Sequence, residues 1–389
     1  MTVNCRTLFE KIDELQAHYL DVLEELCNIE SCTDDKVGVD EAGRYLADFA
    51  RAKGWRVEVY PQRVSGDVVV ITMNPDAKGA PISLSGHLDT VYPRGTYPTP
   101  AVRRDDVYMH GPGVVDCKGG VVGGLLAMDA LEQCGFVARP VLLLLQTDEE
   151  KGSTPSGQDT IHYICERAMG SAAFLNLEGH TAPNVPITRK GILRYRIDVR
   201  GKASHSANCH QGVNAIVEAA HEIIELEKMK QVEGGLTCNC GMIEGGTAPN
   251  TVAEECSFTA DIRFANAEQL AQARVTVARV TENVTLPGSV STATQISFRP
   301  AMEKVERNLH LLDKINEIYE ANGMPRLVGV HTKGGSDAAY VTLAGIPCVD
   351  SIGTEGEEIH SIRERMELAS LARCAKRVAA AVWCMEDEK

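Results

Sequence analysis

Short apolar runs and amphipathic stretches take turns along most of this chain, and that alternation restricts the fold more than any other feature. Trp55 to Tyr60, Val68 to Met73, Ile82 to Ser85, Val141 to Gln146 and Ala172 to Leu177 read as strands. Gly119 to Gln133 and Thr160 to Ala168 read as helices between them, and two more helices are expected from Leu8 to Gly54. The second of these runs from Glu41 to Lys53 and stops at Gly54, as a C-cap would. Such alternation predicts an α/β fold, a sheet with helices on both faces. In that architecture reactive groups gather where strands end at their carboxyl termini.

From about Ile187 the pattern changes. Ile192 to Val199, Thr237 to Ile243, Glu254 to Arg263 and the short Gln295 to Arg299 read as strands, with helices at Val213 to Met229 and Ala267 to Val284. The order β-α-β-β-α-β is the ferredoxin-like arrangement. After Arg299 the chain returns to helix, Gly-rich turn, a strand from Gly345 to Ile352, and helix. A length of 389 residues exceeds what one core usually serves. The expectation is a discontinuous domain, 1–186 with 300–389, interrupted by an inserted α+β domain, 187–299.

Bulk properties exclude several function classes. A net charge of -15 argues against nucleic acid, which is bound through Lys and Arg. No stretch approaches a membrane span. Met1 to Tyr19 forms a polar amphipathic pattern without an apolar signal core, and the 13 cysteines are scattered without C-x-x-C pairs, so reduced thiols in a cytoplasm are expected. Cys238-Asn239-Cys240 suits neither a zinc ribbon nor a thioredoxin motif.

Two adjacent carboxylates, Glu149 and Glu150 in Thr147-Asp148-Glu149-Glu150-Lys151, emerge where the apolar run Val141 to Leu145 ends. His87-Leu88-Asp89-Thr90-Val91 follows another strand, and Gly111-Pro112-Gly113-Val114-Val115-Asp116-Cys117-Lys118-Gly119-Gly120 opens a Gly-rich turn. Imidazole and carboxylate donors of this kind bind hard or borderline divalent metals. With Gly201-Lys202-Ala203-Ser204-His205-Ser206 and Gly334-Gly335-Ser336-Asp337-Ala338, these motifs resemble the M20 family of dinuclear zinc peptidases and deacylases, from about residue 40 to the C-terminus.

The resemblance implies a zinc-exopeptidase-like domain with a mixed sheet, and an inserted lid that also makes a homodimer. It implies two zinc ions per subunit, with cobalt or manganese as substitutes. His87, Asp116 and Glu178 would hold one, and Asp116, Glu150 and His360 the other, with Asp116 bridging and its following peptide cis. Asp89 would accept the second ring N–H of His87 and fix the tautomer. Cys117, where the family often has Met, reads as packing. His180, two residues beyond Glu178, is the alternative ligand there. Adjacent side chains at a strand end point to opposite sides, so Glu149 can serve as general base while Glu150 coordinates.

In the lid, His205 would reach into the partner subunit's site and donate to the substrate carbonyl. Asn250 and Arg263 match positions that hold the substrate's free carboxylate, Arg offering a planar fork. A salt bridge to Asp261 is the other reading of Arg263. Gly335 and Ser336 would line the same pocket. The implied reaction is hydrolysis of an amide beside a free carboxylate by water held between the zinc ions, with Glu149 as base. A carboxypeptidase or dipeptidase of the glutamate carboxypeptidase type ranks first, acting on a small peptide or N-acyl amino acid. An N-acyl amino acid deacylase is the alternative, and an inactive binding protein on this scaffold is the rival from another class.

Overall fold

The computed structural model describes residues 5–231 and 233–386, so the first four residues of the Met1 to Tyr19 stretch lie outside it. The chain forms two compact units, one of residues 1–187, 304–332 and 340–389, the other of residues 188–303 and 333–339. The segment 333–339, which carries Gly335 and Ser336, therefore packs with the second unit rather than with the rest of 300–389.

In the first unit six strands lie side by side in the order Arg56–Tyr60, Val68–Met73, Val141–Gln146, Ile82–His87, Ala173–Asn176, Cys348–Val349. The first two junctions are antiparallel and the rest parallel, so the sheet is mixed. Every residue of Val68–Met73, Ile82–His87 and Val141–Gln146 is buried, as expected of strands covered on both faces. Val69, Ile71, Leu143 and Leu145 enter the main core with residues of helices Cys5–Asn28, Lys118–Gln133 and Leu368–Cys384. The alternate residues Val68, Val70, Leu142 and Leu144 are buried outside that cluster, on the side that helix Asp159–Ala168 helps to cover.

Two elements differ from those expected. The second helix starts at Lys36 rather than Glu41, because Asp35 caps it by accepting the Gly38 N–H. The strand expected from Gly345 to Ile352 shrinks to Cys348–Val349. No helix among the described residues is long and apolar enough to cross a membrane.

The second unit is a four-stranded antiparallel sheet in the order Thr237–Gly245, Glu255–Phe264, Gly191–Arg200, Val290–Arg299. Helices Ala215–Glu227 and Ala267–Glu282 pack on the face that buries Leu193, Ile197, Cys256, Phe258, Ala260 and Ile262. The last strand begins at Val290, five residues before Gln295, where the sequence is too polar to signal it; a bulge between Gln295 and Ser297 also breaks its period.

Helix Ala215–Glu227 buries Glu218 and Glu222. Glu218 accepts the N–H groups of Thr285 and Leu286. Glu222 Oε2 accepts the Ser291 hydroxyl at 3.1 Å, whereas Oε1 has no partner among the described residues. Burial pushes the Glu222 carboxyl up to about 7. The folded state thus binds this proton more tightly than the unfolded chain does, so stability is fullest below about pH 4 and falls as pH rises through the folded pKa. Glu222→Gln is expected to be more stable than the parent by about 2 kcal/mol at pH 8 and equal to it at pH 4, as read from urea unfolding. Equal midpoints at pH 8 would contradict this.

Candidate metal centre

Three parallel strands deliver the cluster from their carboxyl ends. His87 closes Ile82–His87, Glu149 and Glu150 follow Val141–Gln146, and Glu178 lies two residues past Ala173–Asn176. Asp116 arrives from the Gly-rich turn immediately before helix Lys118–Gln133, and its peptide to Cys117 is cis. The paired glycines let this helix press against the strand ends: a Cβ on Gly120 would sit 1.9 Å from the Leu177 carbonyl oxygen, and one on Gly119 2.0 Å from that of Val114. His360 sits in a turn at φ 61, well before the final helix that begins at Leu368. Such a backbone is uncommon outside glycine and clusters at functional sites.

The donor atoms converge. Asp116 Oδ1 is 3.0 Å from His87 Nε2, and its Oδ2 is 3.0 Å from His360 Nε2. Glu150 Oε2 lies 3.0 Å from the same His360 nitrogen, and Glu178 Oε1 lies 3.8 Å from His87 Nε2. Donor atoms of His87, Asp116 and Glu150 all lie within 4.8 Å of one another. His180 is elsewhere, its Nδ1 donating to the Ser351 carbonyl at 2.7 Å, and burial holds its pKa down at about 4. Cys117 also approaches His87 and Glu178, but its thiol donates to the Leu177 carbonyl and burial pushes it well above the usual range.

Electrostatics fit a cation-binding role. Burial raises Glu150 to about 7, and burial together with the charge of Asp116 lifts Glu178 well above the usual carboxylate range. Hydrogen bonds to Asp116 and then Glu150 lift His360 to about 10. The cluster holds more buried negative charge than its side chains offset, which is the need a divalent cation meets.

Asp89 meets the second ring nitrogen of His87, chiefly through its backbone. His87 Nδ1 donates to the Asp89 backbone carbonyl at 2.9 Å, while the carboxylate stands farther off at 3.4 Å. A carbonyl cannot donate, so Nδ1 carries the proton and Nε2 keeps its lone pair toward the cluster. The Asp89 carboxylate also accepts the Thr33 hydroxyl at 2.8 Å and the N–H groups of Glu149 and Glu150, each at 3.2 Å. Those glutamates form a 3-10 turn, Glu149–Lys151, so the turn and Asp89 separate their side chains, not strand alternation.

One participant has no sequence signal. Glu364, only 1% exposed, accepts the N–H groups of Gly113 at 3.3 Å, Val115 at 2.9 Å and Asp116 at 3.1 Å. It shapes the turn that aims Asp116. Glu364→Ala strands these buried donors and is expected to cost about 3 kcal/mol in chemical denaturation, with weaker metal retention. A loss below about 0.5 kcal/mol would mean the turn holds its shape without it.

The other expected site residues lie in the second unit. His205 is exposed, and its Nδ1 accepts the Ala207 N–H at 3.2 Å, which leaves Nε2 as the protonated donor. Asn250 is beside it, its carbonyl accepting the Ser206 N–H at 2.9 Å. Arg263 is not with them. It sits near the far end of Glu255–Phe264, about 25 Å from the start of that strand at the usual rise, and its guanidinium grips both oxygens of Asp261 at 2.6 and 3.2 Å. Ser336 does not face an open pocket; it is 1% exposed and accepts the Ala338 N–H. Gly335 is needed for close packing, since a Cβ there would meet Arg299 Cδ at 2.8 Å.

Residues 83–383 match the sequence model of peptidase family M20/M25/M40. Carboxypeptidase G2 of Pseudomonas sp. (strain RS-16) is 29% identical over 374 residues, 94% of this chain and 89% of that protein. A tripeptidase structure from Staphylococcus aureus shares the fold with a TM-score of 0.78 at 22% identity, covering 94% of this chain and 97% of its own. An M20 family metallo-carboxypeptidase from Sulfolobus solfataricus does so at 0.73 and 17% identity, covering 94% and 98%. With the family's sequence pattern spanning most of its length and a metal-binding cluster at the strand ends, the chain belongs to peptidase family M20/M25/M40 and is a metal-dependent hydrolase.

Proposed function

We propose that the protein removes a C-terminal amino acid from a peptidyl or acyl group by hydrolysing the amide beside a free carboxylate. The observation that carries this reading is Asp116, whose two oxygens each lie 3.0 Å from a different imidazole, so that one side chain can bridge two cations. His87, Asp116 and Glu178 would hold one ion and Asp116, Glu150 and His360 the other. Zinc suits this nitrogen and oxygen set, with cobalt or manganese as substitutes. Bound there, the pair supplies a Lewis acid for the scissile carbonyl and lowers the pKa of a nearby water.

The remaining work falls to side chains. Glu149, its backbone fixed by Asp89, takes the water's proton and returns it to the departing amine. His205, protonated at Nε2, donates to the carbonyl oxygen as charge develops there. Arg263 and Asn250 hold the substrate's carboxylate end. Because His205 and Asn250 stand at one end of a sheet and Arg263 near the other, a single copy of this unit cannot bring them to one substrate. A homodimer resolves the conflict, one copy giving His205 and Asn250 and the other Arg263. Helix Ala215–Glu227 exposes Ile216, Val217 and Ile224, and the neighbouring edge strand exposes Met242 and Ile243, an apolar surface suited to such a pairing. The similarity to Carboxypeptidase G2 supports the carboxypeptidase reading over a deacylase.

Mixed dimers test the across-subunit part. His205→Ala and Glu149→Ala homodimers should each be inactive, and co-expressed heterodimers should recover turnover; no recovery removes the partner's role. Amidating the C-terminal carboxylate of a good dipeptide substrate should lower kcat/KM about a hundredfold, and an unchanged value counts against a carboxylate clamp. Preference for N-acetyl amino acids over dipeptides would favour the deacylase branch.

A further inference from the structure

Thr237–Gly245 is an edge strand, paired within its sheet only to Glu255–Phe264. Cys238 and Cys240 are two residues apart on it and so share a face. That face packs with helix Ala215–Glu227, Cys238 fully buried and Cys240 half-buried against the same core. Glu227, the last residue of the helix, reaches the strand: its Oε1 accepts the Cys240 N–H at 3.0 Å, a donor that an edge position would otherwise leave to solvent. Its other oxygen pairs with Lys230. A register shift between Cys240 and Met242 then ends the inward strip, and Met242 turns outward. The result is two sulfurs and a carboxylate oxygen all within 4.8 Å of one another.

We propose that Cys238, Cys240 and Glu227 form a site for a thiophilic divalent cation such as zinc, which fastens the end of the helix to the edge strand. The site belongs to the second unit and shares no residue with the His87–Asp116 cluster. Two sulfurs and one oxygen supply three of the four positions of tetrahedral zinc, and the half-buried Cys240 and Glu227 leave the fourth open to water. Sulfur donors select zinc, cadmium or cobalt over magnesium and calcium. Binding releases one proton from each thiol, so that two thiolates and the carboxylate face the dication, with Lys230 balancing the surplus.

Metal-free, reduced protein titrated with cobalt provides the test. A sulfur-to-cobalt charge-transfer band should grow in with the amplitude of one such site per chain, apart from the cobalt that the His87–Asp116 cluster takes up without a sulfur band. Cys238→Ser and Cys240→Ser should each lose most of the band, and cadmium affinity, measured against a chromophoric chelator, should fall about a hundredfold or more. Cys117→Ser should keep the band, which separates this site from the thiol near His87. Glu227→Gln should keep the band with weaker cadmium affinity, and because it spares the buried thiols it also carries the test if a serine variant fails to fold. A wild-type protein that takes up cobalt without a sulfur band, a band that persists in both serine variants, or cadmium affinity unchanged in Glu227→Gln would each overturn the proposal.

Discussion

Glu149→Ala is expected to lower kcat by about a thousandfold or more while metal content stays at the parent level. Glu149 and Glu150 are adjacent, yet the proposed function gives them different work. Glu150 Oε2 lies 3.0 Å from His360 Nε2 and belongs to the convergent donor set with His87 and Asp116. Glu149 stands beside that set, 8% exposed, with its N–H tied to Asp89 Oδ1. Removing it should therefore spare the ligands and delete the proton carrier. Glu150→Ala should show the opposite pattern, losing metal first and activity as a consequence. Elemental analysis of the two variants, set beside their turnover, separates the roles; metal lost from Glu149→Ala and kept by Glu150→Ala would interchange them.

Asp116→Ala should have the larger effect on binding. Its carboxylate is the one group shared by both imidazoles, and hydrogen bonds from His360 and His87, acting against burial, keep it well below the usual carboxylate range. Without it each remaining donor set loses a member at once, so metal affinity should fall by more than about a hundredfold. Bound metal stabilises the folded state by mass action, so wild-type protein should melt higher when loaded than when stripped. Asp116→Ala should show no such difference. A normal metal-induced shift in this variant would mean that the two halves of the cluster bind independently.

The strands and the donor side chains that converge at their ends were legible in the sequence for related reasons. Val68–Met73 and Val141–Gln146 are mostly apolar because both faces are covered, and the polar residues that follow such runs stand out. His87, Glu150 and Glu178 are of this kind. What stayed hidden depends on chain segments meeting from far apart. Glu364 lies between Arg363 and Arg365 and reads as part of a solvated stretch, yet it is buried under the turn that carries Asp116. Lys118 looks like an ordinary first-turn lysine, although it is fully buried and donates to the carbonyls of Leu26 and Ile29. The carbonyl contact of Asp89 and the 3-10 turn at Glu149 are backbone effects that residue types do not announce. Cys238-Asn239-Cys240 had no recognisable spacing because its third partner, Glu227, comes from a helix. The separation of Asn250 from Arg263 became visible only with the register of the sheet between them.

Zinc-edge anomalous diffraction from metal-loaded crystals tests the central assignment most directly. Two peaks about 3.5 to 4 Å apart should flank the Asp116 carboxylate. One should lie about 2.0 to 2.2 Å from His87 Nε2 and a Glu178 oxygen, the other equally near His360 Nε2 and a Glu150 oxygen. A single peak beside Asp116, or none within reach of those five side chains, would contradict it.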